Sequence, residues 1–286
     1  MRYQTDTAFR TALEERLRQR AEREGEPIAR LRKRVVFERC MVRLQKEPNS
    51  PWVLKGGFAL ELRLGNLARM TKDLDLTANL GFFSAESKSP FMLSEKLRED
   101  LKRENEDRFV FLVAEGSEEQ LPTQGVKSYR FSVEARLDGR SFEHIKVDVG
   151  VGDPLIMPLE EVKGSDLLSF AGVPIPIIRA TSRAQHLAEK VHALTLPFDD
   201  RINTRVKDLA DIMLLLDHGL PEPPVVKRTV NEIFSSRATH QVPDRIETPP
   251  ATWASSYTSI AKELQLNETT VDDATARLNN YWKTIW

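Results

Sequence analysis

The sequence predicts an α+β protein, a mixed sheet with flanking helices followed by a C-terminal helical domain. Up to about residue 178, apolar strand-like runs are interleaved with helical periods. Two long alternating segments, Val126 to Leu137 and Ser141 to Val151, meet at Asp138-Gly139-Arg140, a strong hairpin signal. A Pro- and Gly-rich stretch runs from Gly152 to Ile178, and beyond it the apolar residues repeat with a helical period. The expected domains are residues 1–50, N-terminal helices packing on the core; 51–178, the sheet domain; and 179–286, the helical domain.

In chain order, residues 6–24 form an Arg- and Glu-rich helix with Phe9, Leu13 and Leu17 at i, i+4 spacing and Asp6 as N-cap. A second helix, Ile28 to Lys46, has a broader apolar stripe of Leu31, Val35, Val36, Cys40, Met41 and Leu44. Between Arg10 and Arg34 nine Lys/Arg face five Asp/Glu. That local excess is a candidate RNA contact, set against the plainer reading of a solvated helix face. Leu93 to Glu106 reads as a charged surface helix. Arg108 to Glu115 reads as a strand buried on both faces, since Phe109 to Val113 barely alternates. A short strand is expected near Val173 to Ile178.

In the helical domain, Thr181 or Ser182 caps a helix whose core face is Leu187, Val191 and Leu194. A loop with Pro197 and Asp199-Asp200-Arg201 leads to a helix from Thr204 to His218. There Arg205 with Asp208 and Lys207 with Asp211 are spaced to pair on one face. Further helices are expected near 225–235, 253–263 and 271–283. They carry Trp253, Tyr257, Tyr281, Trp282 and Trp286, which at helical spacing read as core.

Composition narrows the classes. The 286 residues are 40% hydrophobic and 30% charged, ordinary globular values, and the net charge of -1 means that any basic surface is local. A single cysteine, Cys40, excludes an internal disulfide, and the five histidines show no zinc-type spacing. No long apolar run appears, so the expectation is a soluble, cytoplasmic protein with no membrane association.

The chemistry concentrates in Trp52 to Ala78, which reads strand, glycine turn, helix, loop, strand. Gly56 and Gly57 interrupt an apolar run where a helical period begins, so the backbone there can approach a ligand closely. A phosphate against Gly57 would meet unpaired N–H groups and the positive end of the helix dipole. Asp73 and Asp75 follow on a short apolar strand, alternating with Leu74 and Leu76. Both carboxylates therefore project from one face, and two anions so placed call for a cation. On the hairpin's second strand Asp148 is a third acid, opposite in facing to Ile145, Val147 and Val149. Gly-Gly, one helix and Asp-x-Asp in this order are the signature of polymerase-beta type nucleotidyltransferases. Such chemistry uses three acids: two for the Mg²⁺ that carries the triphosphate, and a third for a second ion and the attacking hydroxyl.

Four blocks together resemble the AbiEii/AbiGii nucleotidyltransferase toxins of abortive-infection and type IV toxin–antitoxin systems, which include the mycobacterial MenT toxins. They are Lys-Gly-Gly with Thr-Lys-Asp-Leu-Asp (55–57 and 71–75), Lys-Val-Asp-Val (146–149), Ala-Glu-Lys-Val-His-Ala-Leu (188–194) and Arg-Val-Lys-Asp-Leu-Ala-Asp-Ile (205–212). The resemblance covers roughly Ile28 to Leu220. It implies a polymerase-beta-like fold, with the helical domain completing the active-site cleft. It implies Mg²⁺, one or two ions, on Asp73, Asp75 and Asp148. Lys190 and Asp208 join these acids as catalytic residues, and Gly56, Gly57, Lys72, Lys190, Lys207 and Asp211 bind the nucleotide. One departure is Gly57, where many relatives carry Ser and so a hydroxyl for phosphate. The implied reaction moves a nucleoside monophosphate from an NTP to RNA, at the tRNA 3′ end, and so blocks translation; an antitoxin encoded nearby is the implied partner. A protein or antibiotic acceptor, or a degenerate binding protein, remains the alternative.

Overall fold

The computed structural model describes residues 2–79, 90–103, 106–114, 119–121, 127–197 and 203–286. The expected loop residues Asp199, Asp200 and Arg201, and the ends of the expected strands at Glu115 and Val126, lie outside the described residues. The chain divides into two units, Met1–Arg63, Met70–Gly152 and Glu161–Ala180 in one, and Leu64–Arg69, Asp153–Glu160 and Thr181–Trp286 in the other. The N-terminal helices thus share a unit with the sheet. The Pro- and Gly-rich stretch is split, its C-terminal part returning to the sheet unit.

The first unit is a mixed sheet with helices. Its strands are β1 (Trp52–Leu54), β2 (Asp73–Ala78), β3 (Val110–Val113), β4 (Glu119–Leu121), β5 (Lys127–Leu137), β6 (Arg140–Val151), β7 (Glu160–Lys163) and β8 (Ile177–Ala180). The order is β3-β5-β6-β2-β1-β8-β7, with β4 also on β5. β5 and β6 form the expected antiparallel hairpin, while β2 runs parallel to β6 and antiparallel to β1. Asp138 and Gly139 take φ of 56° and 67°, the left-handed pair that a two-residue hairpin turn requires. Phe131, Val133 and Ala135 on β5 and Ile145, Val147 and Val149 on β6 are buried, so alternation puts Arg130, Ser132, Lys146 and Asp148 on the opposite face.

Against the buried face pack α1 (Asp6–Glu24) and α2 (Ile28–Leu44), whose Phe9, Leu13, Leu17, Leu31, Val36, Cys40 and Met41 join one core with Trp52, Leu74 and Val147. The cap of α1 is Thr5, whose hydroxyl accepts from Ala8 N at 3.2 Å; Asp6 is the first helical residue instead. Cys40 is fully buried, and burial pushes its thiol pKa up, which leaves it unreactive. Much of the cation excess between Arg10 and Arg34 turns inward: Arg30 and Arg34 both bond Glu61 and Glu26, at 2.9 to 3.0 Å. The helix expected from Leu93 is α4 (Pro90–Leu101). β3 is not buried on both faces. As the edge strand it leaves Val110 57% and Leu112 41% exposed, because only Phe111's side has a core to pack on.

Glu38 on α2 is buried and accepts from Ser165 N at 2.7 Å and Ser165 Oγ at 3.1 Å. Burial outweighs these bonds and raises its pKa to about 7. The folded state then binds the proton more tightly than the unfolded state, so Glu38 lowers stability as pH rises from about 4.5 to about 7. Glu38→Gln is expected to flatten that slope and to raise Tm at pH 8 relative to wild type; equal slopes in a pH series of thermal melts would show otherwise.

The second unit carries α5 (Arg183–Thr195), α6 (Val206–Asp217), α7 (Pro223–Arg237), α8 (Ala254–Glu263) and α9 (Val271–Ile285). Ser182 caps α5, accepting from Gln185 N at 3.2 Å. Leu187, Val191, Ile212, Met213, Val230, Ile233 and Leu278 are among the buried side chains. Trp253, Tyr257 and Trp282 are core, as their helical spacing suggests, and the indoles stay hydrogen-bonded there, Trp253 to Asn203 O at 2.6 Å and Trp282 to Pro243 O at 2.8 Å; Tyr281 is half-buried and Trp286 exposed, so the core reading does not extend to the end of α9. Among the described residues no helix is long and apolar enough to cross a membrane.

Candidate active site

The parallel pairing of β2 with β6 sets Asp75 beside Asp148 and Asp73 beside Lys146. The three strand acids therefore gather on one face of two neighbouring strands. α3 (Gly56–Leu64) begins directly after β1, and its first turn lies over Asp75. Gly56 has φ of 64°, and a Cβ there would collide with the Asp75 carboxylate. Gly57 N donates to Asp75 Oδ2 at 3.4 Å. The glycine turn thus makes room for an internal anion, and the helix N-terminus stabilises it. A phosphate at Gly57 would share that N–H with Asp75.

Asp75 is electrostatically strained. Burial first, and then the charges of Asp148 and, less, Asp73 raise its pKa to about 6, while the Lys55 ammonium and the hydrogen bond from Gly57 N–H act the other way. Lys55 is brought close because β6 has a glycine at 150: a Cβ there would lie 2.8 Å from Lys55 Nζ. A second cation stands on β5, directly across the hairpin from Asp148. Arg130 grips both oxygens of Asp148, at 2.8 and 2.7 Å, and reaches Asp73 Oδ2 at 3.3 Å. Neither Arg130 nor Lys55 is among the site residues the sequence suggests, although the acid pair calls for a cation. Lys72 is exposed, one residue before Asp73.

The donor set bears on a metal. Among the described residues no three Asp, Glu, His or Cys side chains are arranged to hold an ion. The Arg130 guanidinium stands in for one, bridging two of the acids with positive charge. The oxygens on offer are carboxylate oxygens, the type that Mg²⁺ prefers, and Asp75 lies beside a second carboxylate, Asp148. By donor chemistry and charge these residues fit a divalent cation, and Arg130 is what such an ion would displace.

In the helical unit, Lys190, Asp208 and Asp211 meet. Lys190 Nζ donates to Asp208 Oδ1 at 2.9 Å and to Asp211 Oδ2 at 2.7 Å. Asp211 is fully buried and also receives Arg69, from Nε at 3.0 Å and Nη2 at 3.0 Å. Burial would raise Asp211, but Lys190 and Arg69 hold it below the usual carboxylate range. Burial likewise works against a charged Lys190, and the two carboxylates overcome it, keeping the ammonium protonated. Asp211 is therefore placed to orient Lys190. The anticipated pairing of Lys207 with Asp211 does not form, since Asp211 turns inward to α5; Lys207 is exposed, and Arg205 lies 3.6 Å from Asp208. Arg69 had no signal in the sequence beyond its being a cation near the acid pair.

Comparison with known proteins bears on fold and family. The chain aligns with the MenT4 nucleotidyltransferase toxin of Mycobacterium tuberculosis H37Rv at 18% identity and a TM-score of 0.54, over 96% of this chain and 98% of that one. That likeness supports a nucleotidyltransferase fold. An antigenic nucleotidyltransferase-like protein from Paracoccidioides brasiliensis aligns at 14% identity over 82% of this chain and 92% of its own, but its TM-score of 0.45 is too low to bear on the fold. A search of curated proteins finds no match. The family model described as the nucleotidyl transferase AbiEii toxin of type IV toxin–antitoxin systems matches residues 39–283, a span holding both the strand acids and the Lys190 cluster. With most of its length so matched, the chain belongs to the AbiEii family of nucleotidyltransferase toxins.

Proposed function

We propose that this toxin transfers a nucleoside monophosphate from an NTP to an RNA acceptor, the tRNA 3′ end, and thereby blocks translation. The attacking hydroxyl oxygen bonds to the α-phosphorus, the bond from that phosphorus to the bridging α–β oxygen breaks, and pyrophosphate leaves. The observation that carries the reading is the placement of Asp75 beside Asp148, with Asp73 on the same sheet face, under the Gly56-Gly57 turn. Mg²⁺ bound there supplies charge neutralisation for the triphosphate. Asp73, Asp75 and Asp148 are the residues that would hold it, and Asp148 would also position the acceptor hydroxyl and take its proton. Lys190, kept charged by Asp208 and Asp211, is the proposed cation for the triphosphate oxygens. Gly56, Gly57, Lys72 and Lys207 are proposed to complete the nucleotide contacts, and a cognate antitoxin to be the regulatory partner.

Each α-labelled NTP incubated in turn with the protein, Mg²⁺ and total tRNA tests the acceptor. Label on RNA supports the reading; label on a polypeptide or an aminoglycoside, or none on any acceptor, overturns it. Arg130 adds a second expectation. Because its guanidinium competes for Asp148 and Asp73, Arg130→Gln is expected to lower the Mg²⁺ concentration for half-maximal binding by about tenfold. A metal-binding titration in which the variant needs as much Mg²⁺ as wild type would contradict this.

A further inference from the structure

The sheet face that carries Asp73 and Asp148 continues outward as an open groove of about 530 Å³ within the first unit. Register lays its floor out in rows: Asp73 stands beside Lys146 on β6 and Ser132 on β5, and the next row is His144, Glu134 and, on β3, Leu112. From β2 to β3 is three strand spacings, about 14 Å, the reach of a short extended strand and too long for one phosphate. Lys33 of α2 and Lys72 border the same groove.

Charge identifies the occupant. Lys33, Lys72 and Lys146 have no carboxylate within ion-pair distance among the described residues; Lys33 bonds only the Lys72 carbonyl, at 3.4 Å, and Lys146 the Ser132 hydroxyl, at 2.5 Å. The acid at the far end, Glu134, is taken up by Arg136 at 2.9 Å. In a chain of net charge -1, where Arg30, Arg34, Arg43, Arg69 and Arg130 are all spent on internal acids, unpaired lysines along one groove are a local polyanion surface. The exposed Leu112 gives the floor an apolar spot for a base, while its neighbour across the strands is polar.

We infer that this groove holds the single-stranded end of the acceptor RNA, its backbone phosphates on Lys33 and Lys146 and a base against Leu112, so that its terminal hydroxyl reaches Asp73 and Asp148. The inference rests on the RNA-acceptor reading above and names the surface that reading needs. An acidic protein segment is the competing occupant, and the groove's direct continuity with the transfer carboxylates favours the RNA.

The test is anisotropy of a short fluorescein-labelled single-stranded RNA with a free 3′ hydroxyl, across a salt series, on wild type, K33A/K146A, K33R/K146R and Leu112→Glu. NTP affinity is measured on the same samples. The double alanine variant is expected to bind RNA about tenfold more weakly, with the log–log salt slope reduced by about 1.4, two phosphate contacts' worth. K33R/K146R restores both, Leu112→Glu weakens RNA binding, and NTP affinity stays within about twofold throughout. Unchanged RNA affinity and slope in K33A/K146A, while wild type labels RNA, would overturn the groove and leave the RNA reading standing. Wild type labelling only protein or small molecules would remove both. Poly-glutamate displacing the RNA at equal charge concentration would assign the groove to an acidic protein and overturn the inference. A parallel loss of NTP affinity would show a folding defect, and an unchanged Leu112→Glu or a K33R/K146R that fails to recover then counts against the groove.

Discussion

Asp75→Asn is expected to abolish nucleotidyl transfer, by about a thousandfold or more, while leaving the metal-free protein more stable than wild type. The two effects share one cause. Asp75 lies under the first turn of α3 with Asp148 beside it, and burial together with like charge penalises its ionised form. A divalent cation bound there would relieve that penalty, which otherwise falls on the metal-free fold. Asn keeps the shape and the Gly57 contact but removes the charge. In EDTA its thermal melt is expected to shift upward, by on the order of 1 kcal/mol, and the further rise that Mg²⁺ gives wild type should shrink or vanish. A variant less stable than wild type in EDTA would show that the carboxylate is structural.

Asp211→Ala has the largest expected effect on stability. Asp211 is the fully buried partner of both Arg69 and Lys190, and its loss leaves two cations facing one another with only Asp208 between. Removing one partner of a buried ion pair costs about 3–5 kcal/mol. Denaturant melts of the Asp211→Ala protein should show a loss of that size, whereas Lys207→Ala, at an exposed residue, should stay within about 0.5 kcal/mol of wild type. A double variant, Lys190→Met with Asp211→Leu, should lose less than the sum of the single changes, because it removes a charge and its partner together. Additive losses would mean that the two residues do not share one network.

The strand acids were legible in the sequence because a two-residue period fixes which side chains share a face, whatever the rest of the chain does. Asp73, Asp75 and Asp148 needed only that period and the parallel pairing of their strands. Arg130 was not legible. Counting back from the Asp138-Gly139 turn without interruption sets Tyr129 across from Asp148, but the register shifts at Ala135/Arg136 and brings Arg130 there instead. A bulge leaves no mark that single-sequence periodicity can detect. β3 misled for a related reason: an apolar run records composition, and only the strand order shows that Val110 and Leu112 sit at an edge. The Gly56-Gly57 turn was read as an approach for a phosphate, and the group it meets in the structure is the chain's own Asp75. On α6 the spacing suggested surface pairs along one helix: Arg205 does pair with Asp208, at 3.6 Å, but Lys207 does not pair with Asp211, and the closer partners, Lys190 of α5 and Arg69, are distant in sequence. The terminal helices were read as core from the helical spacing of their aromatics, which holds for Trp253, Tyr257 and Trp282 but not for Trp286 at the chain end, where no further turn of helix covers the ring.

The central claim is that the β2 and β6 acids carry nucleotidyl, and not phosphoryl, transfer. Parallel reactions with α-labelled and γ-labelled NTP, wild type against Asp75→Asn, test it most directly. Label entering the acceptor from the α position alone, with γ-label recovered in pyrophosphate and no transfer by Asp75→Asn, is the predicted result. Label entering from the γ position, or equal transfer by wild type and Asp75→Asn, would contradict it.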